Sequence, residues 1–152
     1  MSQDDAGIQL ETSLGYLLKE ASSALRLAME AVLRPLGMTV THYSCLELLA
    51  QRPGLSNSEL ARGAFVTRQS MNVLLQALER DGFVERPAEA AVGKVLPTRL
   101  TPRGRRSLEK ASAAVRSVEV RMLGGMTPGE QADAFRALQS MIHSLRADRE
   151  GA

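Results

Sequence analysis

Apolar positions recur at three- and four-residue spacing along most of this chain, the period of helices with one buried face. From Ile8 to Leu36 the stripe runs Leu10, Leu14, Leu17, Leu18, Ala21, Leu25, Ala28, Val32 and Leu36. It predicts a helix over 8–36, broken by Pro35 and Gly37. About 25 residues at 1.5 Å each make a rod of roughly 38 Å. That is long for a small domain, so a partner chain is expected to cover part of it. Residues 1–7 are polar and read as a mobile arm. Thr41 can cap a second helix with Leu46, Leu49 and Ala50 inward, ended by Pro53-Gly54. Ser56-Asn57-Ser58-Glu59 has the capping-box form and opens a short third helix to Arg62 or Gly63. Gly63-Ala64-Phe65-Val66 reads as a turn. Thr67 opens a fourth helix, and Gly82 follows its cap. Met71, Leu74, Leu75 and Leu78 form that helix's buried stripe. Arg68, Asn72, Gln76 and Glu79 or Arg80 lie opposite.

After Gly82 the period changes. Phe83-Val84-Glu85-Arg86 and Val95 to Leu100 read as two short strands, and Pro87 and Pro97 confine them to an edge. Thr101-Pro102 is a cap followed by proline at the first helical position. The fifth helix runs to about Leu123, with Leu108, Ala111, Val115, Val118 and Met122 on its stripe. Gly124-Gly125 ends it. Thr127-Pro128-Gly129-Glu130 is a second capping box, opening a last helix to about Arg146 with Ala134, Leu138, Met141, Ile142 and Leu145 inward. A short helix, a tight turn, a helix with a polar outer face and a two-stranded ribbon make a winged helix-turn-helix. A plain antiparallel helix pair would not carry the ribbon.

Composition narrows the setting. A chain of 152 residues suits one domain, and 44% hydrophobic residues suffice for a core without disulfides. Only 3% are aromatic, so Leu, Val, Ala and the seven Met must build that core. No apolar run exceeds three residues, which argues against a membrane span. The absence of a charged-then-apolar leader argues against secretion. One Cys and two scattered His suit neither a disulfide nor a zinc site, and no cofactor is expected. A reducing cytoplasm is the expected compartment. The chain shows no phosphate loop, no catalytic triad order and no metal spacing, so no enzyme activity is expected. The net charge of +2 is unevenly spread. Arg62 to Arg106 holds nine basic and four acidic residues, and the remainder holds ten and thirteen. A basic middle between acidic ends either meets a polyanion or is a solvated surface.

The order of elements resembles the MarR (multiple antibiotic resistance regulator) family of transcription factors. Three segments carry the resemblance: Ser56-Asn57-Ser58-Glu59-Leu60-Ala61, Leu78-Glu79-Arg80-Asp81-Gly82-Phe83-Val84-Glu85-Arg86 and Leu100-Thr101-Pro102-Arg103-Gly104-Arg105. They resemble, in turn, the third helix, the exit of the recognition helix into the wing, and the wing's return into the fifth helix. The match spans about residues 10 to 146. The resemblance implies a mainly α fold: a winged helix-turn-helix with long N- and C-terminal dimerisation helices and a small two- to three-stranded wing. It implies one domain over 1–152, with 8–36 and 101–147 dimerising and 41–100 binding DNA. It further implies a homodimer on double-stranded DNA, commonly a repressor released by small aromatic or phenolic compounds or by cysteine oxidation. The family's wing usually carries an Asp-x-x-Arg or Asp-Arg-Arg cluster. Here those positions are Ala91-Val92-Gly93-Lys94. Lysine cannot reproduce arginine's bidentate fork, so backbone contact passes to Arg99 or Arg86. A recognition-helix position that is often Arg in the family is Val73.

Recognition helices touch base edges mainly with their N-terminal residues. Arg68 and Gln69 are the expected base readers, through guanine O6/N7 and adenine N6/N7. Ser70, Asn72 and Gln76 continue that face. Ser56, Ser58 and Thr67 suit phosphates, with Ser56 alternatively only a cap. Arg62, Arg86, Lys94, Arg99 and Arg103 are expected along the backbone. Arg105 and Arg106 either join them or pair with Glu85 or Glu109. The resemblance places an effector cleft at Met29, Val32, Leu33, His42, Tyr43 and Leu46. The alternative is that His42 helps cap its helix and Tyr43 packs in the core. His143 reads as a surface residue, and Cys45 as a small buried hydrophobe more than a redox sensor. Two other functions fit the same fold: a protein-interaction module and a small-molecule-sequestering protein.

Overall fold

A computed structural model of the chain describes residues 7–86 and 98–150. The expected arm, the wing cluster at 91–94 with Lys94, and both wing prolines lie outside or largely outside these residues. The elements in order are α1 (Leu14–Leu33), a 3-10 turn (Arg34–Leu36), α2 (Val40–Gln51), α3 (Asn57–Gly63) and α4 (Arg68–Arg80). Then come β1 (Val84–Glu85), β2 (Arg99–Leu100), α5 (Pro102–Leu123) and α6 (Pro128–Glu150). The strands pair antiparallel, Val84 opposite Leu100 and Glu85 opposite Arg99. The fold is mainly α with a small two-stranded wing root.

Local chemistry moved three boundaries from their expected places. α1 starts at Leu14, not Ile8, because the Ser13 hydroxyl accepts the Tyr16 N–H and caps it there. It ends at Leu33, where the turn with Pro35 and left-handed Gly37 (φ 72°) takes over. α2 is capped by Thr39 rather than Thr41: the Thr39 hydroxyl accepts the His42 N–H at 3.1 Å. The other caps fall as the pattern predicts. Ser56 and Glu59 form the reciprocal capping box of α3, Thr67 caps α4, and Thr127 and Glu130 bond reciprocally at α6. Those bonds hold the Glu59 and Glu130 carboxyls below their usual range, through the backbone N–H of Ser56 and of Thr127 first.

The chain divides into two compact units between Val118 and Glu119. The first contains the core: Leu33, Met38, Cys45, Leu46, Leu49, Leu60, Met71, Leu75, Leu78, Val84, Leu100, Leu108 and Ala111. It draws on the end of α1, on α2, α3, α4 and both strands, and on the first half of α5. Gly104 fixes the root of the wing. A Cβ there would lie 2.1 Å from the Phe83 carbonyl oxygen, the same oxygen that accepts the Thr101 N–H at 3.1 Å. The Thr101 hydroxyl donates to the Gly82 carbonyl at 2.6 Å and accepts from the Gly104 N–H at 3.0 Å. One threonine thus closes the ribbon and caps α5. In the second unit α6 is well capped, yet Leu138, Ile142 and Leu145, expected inward, are exposed. Met122 of α5 is exposed as well. No helix among the described residues is long and apolar enough to cross a membrane.

Candidate nucleic-acid interface

The helix-turn-helix is built from α3, the turn 64–67 and α4. α3 ends in a Schellman motif: Val66 N–H bonds the Ala61 carbonyl and Phe65 N–H bonds the Arg62 carbonyl. The left-handed residue such a motif needs is usually glycine. Here it is Phe65, at φ 60° and 88% exposed. Two residues later Thr67 caps α4, its hydroxyl accepting the Ser70 N–H and donating to the Ser70 hydroxyl. Asn57 Nδ2 donates to Asn72 Oδ1 at 2.7 Å, pinning α3 to α4 from within.

The outer side of this unit collects most of the expected contact residues. Arg68, Gln69, Ser70 and Gln76 are exposed on α4, with Arg62 exposed on α3. Arg68 Nη1 donates to the Ser58 hydroxyl at 3.3 Å, so the first turns of the two helices meet at one place. Asn72 is half-buried with one acceptor site taken by Asn57. Ser56 and Thr67 are both engaged as caps. In the wing root, exposed Arg99 lies 3.7 Å from Glu85. Glu85 therefore pairs with Arg99, its cross-strand partner.

Two cations expected on the phosphate backbone have partners within the chain. Arg86 Nε lies 3.5 Å from Glu79 Oε2, and its Nε and Nη2 are buried without a hydrogen-bond partner among the described residues. Arg103 stacks its guanidinium 4.7 Å from the centre of the Phe83 ring. Neither is a freely extended surface arginine. The sequence could not show this, because both partners come from elements joined only by the fold.

The expected effector residues divide. Leu33 and Leu46 have no exposed surface and are part of the sealed core, so in this conformation they offer an effector nothing. Met29, Val32 and Tyr43 pack partly buried against that core. His42 stands edge-on to Phe83, with ring centres 5.3 Å apart, and its Nε2 is buried without a partner among the described residues. Burial lowers the His42 pKa, and the Asp81 charge opposes that shift. A groove of about 450 Å³ opens elsewhere on this unit, between Arg26, Glu30 and Arg34 of α1 and the turn Gly37–Val40. Cys45 is fully buried, and burial pushes its thiol up to about 12 against the opposing charge of Arg86. A thiol held protonated is no nucleophile. His143 is exposed on α6. Among the described residues no group of His, Cys, Asp and Glu could hold a metal ion.

Known proteins share this arrangement. A family model described as MarR family matches residues 36–94. The HTH-type transcriptional repressor Rv2887 of Mycobacterium tuberculosis is 43% identical over 135 residues, covering 89% of this chain and 97% of that one. A crystal structure of that MarR family protein in complex with salicylic acid aligns with a TM-score of 0.72 at 44% identity, over 86% of this chain and 96% of the other. Its complex with DNA aligns at 0.70 and 42% identity, over 86% and 98%.

Proposed function

The chain belongs to the MarR family, and from that premise we propose that it is a homodimeric transcriptional repressor on a pseudo-palindromic operator, released by a small aromatic or phenolic acid. The observation that carries this reading is the capped α3–α4 unit, which turns Arg68, Gln69, Ser70 and Gln76 outward together. A rigid scaffold with exposed amide and guanidinium groups on one face suits base edges in a major groove. In the dimer two copies of α4 meet half-sites about 10 base pairs apart. Arg68 and Gln69 read bases. Ser58, Thr67, Arg62 and Arg99 hold phosphates, and Lys94 extends the wing's contact. Within 8–36 and 101–147, α1, α5 and α6 supply the dimerisation helices, and 41–100 the DNA-binding lobe. The repressor works in the cytoplasm and catalyses no reaction.

The Rv2887 complexes with DNA and with salicylic acid support both ligand classes. The effector of this chain sits against Met29, Val32, His42 and Tyr43, and opening that side also exposes Leu33 and Leu46. The unpartnered His42 Nε2 supplies a polar contact within an apolar wall. Effector binding favours a dimer whose recognition helices no longer match the operator spacing, and by linkage DNA weakens effector binding by the same factor.

The test is fluorescence anisotropy on DNA from immediately upstream of the gene, beside a scrambled duplex, at several salt concentrations. The expected result is specific affinity about a thousandfold tighter, near 10⁻⁸ M or below. Salicylate should weaken it. Equal, weak binding to both duplexes with a shallow salt slope overturns the reading.

A further inference from the structure

One apolar side chain on α4 is out of place. Met71, Leu75 and Leu78 are buried and Leu74 is half-buried, but Val73 is 62% exposed. It stands four residues after Gln69 and three before Gln76, so both exposed amides flank it on one helix face. A β-branched residue lowers helix propensity slightly, and at this exposure Val73 recovers little by burial. Its surroundings are otherwise polar: Arg68, Gln69 and Gln76 are exposed.

The rest of that face narrows what it can meet. Asn72, the third amide there, has an oxygen site occupied by Asn57 at 2.7 Å. Among the described residues Gln69 and Gln76 have no hydrogen-bond partner for their amides, and a free Gln amide matches adenine N6 and N7. The major groove presents one apolar group at its base edges, the 5-methyl of thymine, and an A·T pair offers it beside the adenine donor and acceptor. A branched apolar side chain between two free amides matches that pair.

We propose that Val73 packs on the 5-methyl of a thymine in each half-site, so that this chain reads an A·T pair at the centre of its recognition-helix contact. This rests on α4 being the DNA-reading helix, and the experiment separates the two. Duplexes are selected from a random pool with the full chain. In the preferred duplex each half-site thymine is replaced in turn, in both half-sites together, by deoxyuridine, which lacks only the methyl. Burying one methyl contributes about fourfold in affinity, hence about fifteenfold over two half-sites. The expected result is such a loss at one symmetric position for the wild-type chain and none for Val73→Ala, with unchanged helicity and dimer mass. If every deoxyuridine duplex binds like its thymine parent, or if Val73→Ala keeps the methyl dependence, the assignment is wrong while the functional reading stands. If no duplex is preferred, both fall.

Discussion

The helix-turn-helix lobe and helix α6 are written in the same language and end in opposite states. Both open with a capping box, Ser56 with Glu59 and Thr127 with Glu130. Both carry Leu, Met and Ala stripes at helical spacing. In the lobe Leu60, Met71 and Leu75 have no exposed surface. On α6 Phe135 is 64% exposed and Leu145 72%. α5 passes from one state to the other: Gly104, Leu108, Ala111 and Val118 are buried, while Val120 and Met122 are exposed. The difference teaches what amphipathic period means. It states that a face will be buried, but not by which chain. The lobe folds on itself, and the flanking helices await the second copy that the proposed homodimer supplies.

The strongest way to break that comparison is to cut one leucine from each region. Leu75→Ala removes a fully buried side chain and should cost about 3 kcal/mol of unfolding free energy, read by urea denaturation. Leu145→Asp should leave helicity intact but raise the dimer dissociation constant. Losing about 2 kcal/mol of burial corresponds to roughly thirtyfold, measurable by sedimentation equilibrium. A lobe that unfolds with Leu145→Asp as it does with Leu75→Ala would erase the distinction.

A second substitution sharpens the boundary of the lobe within α5. Gly104→Ala drives a methyl into the Phe83 carbonyl, since the Cβ position lies 2.1 Å from that oxygen. Overpacking of this kind costs about 1–3 kcal/mol. The loss should appear in thermal unfolding together with weakened DNA binding, because the same carbonyl anchors the wing root. Gly125→Ala, with open space around it, is the control and should change neither.

Caps, breaks and stripes were legible in the sequence because each is a local bargain between a side chain and the backbone beside it. The capping boxes at Ser56 and Thr127, the stop at Gly82 and the polar face of α4 needed nothing beyond four neighbouring residues. Where two local bargains competed, the pattern misplaced the edge, as with Thr41 for Thr39 and Ile8 for Leu14. The site was legible in outline, as an exposed basic and amide-bearing helix. Its interior was not. Asn57 on Asn72, Arg103 on Phe83, Arg86 on Glu79 and His42 against Phe83 join residues 7 to 41 positions apart, and no periodicity announces such pairs. Phe65 carries one signal in the sequence: in a turn that ends one helix just before another begins, one residue commonly takes the left-handed conformation.

Phe65, like Val73, departs from the lobe's rule: it is an apolar ring left outside. Its φ of 60° and 88% exposure mean that glycine would relieve the backbone and forfeit little packing. Left-handed geometry costs a side-chain-bearing residue about 1–2 kcal/mol, partly offset by glycine's larger unfolded-state entropy. Phe65→Gly should therefore stabilise the lobe by about 1 kcal/mol in urea denaturation. A loss of stability instead would mean that the ring is covered in the assembled protein, and would move Phe65 to the side of α6 in the comparison.

The smallest effect concerns the polar group the lobe does bury. His42 has a half-buried ring, an unpartnered Nε2 and a pKa lowered by burial despite the Asp81 charge. In the unfolded chain it titrates near its ordinary value of about 6.5. Between that value and the lower folded one, the unfolded state binds more protons than the folded state. Stability is therefore full above about pH 6.5 and falls as pH drops toward the folded pKa, below which this contribution levels off. Carboxylates held low, such as Glu59, act only at more acid pH. The difference between wild type and His42→Asn isolates the imidazole. From pH 7.5 to 5.5 the wild-type urea midpoint should fall more than that of the variant. Equal falls would mean that the ring is as well solvated when folded as when unfolded, and that the lobe, like α6, leaves this face open until something else covers it.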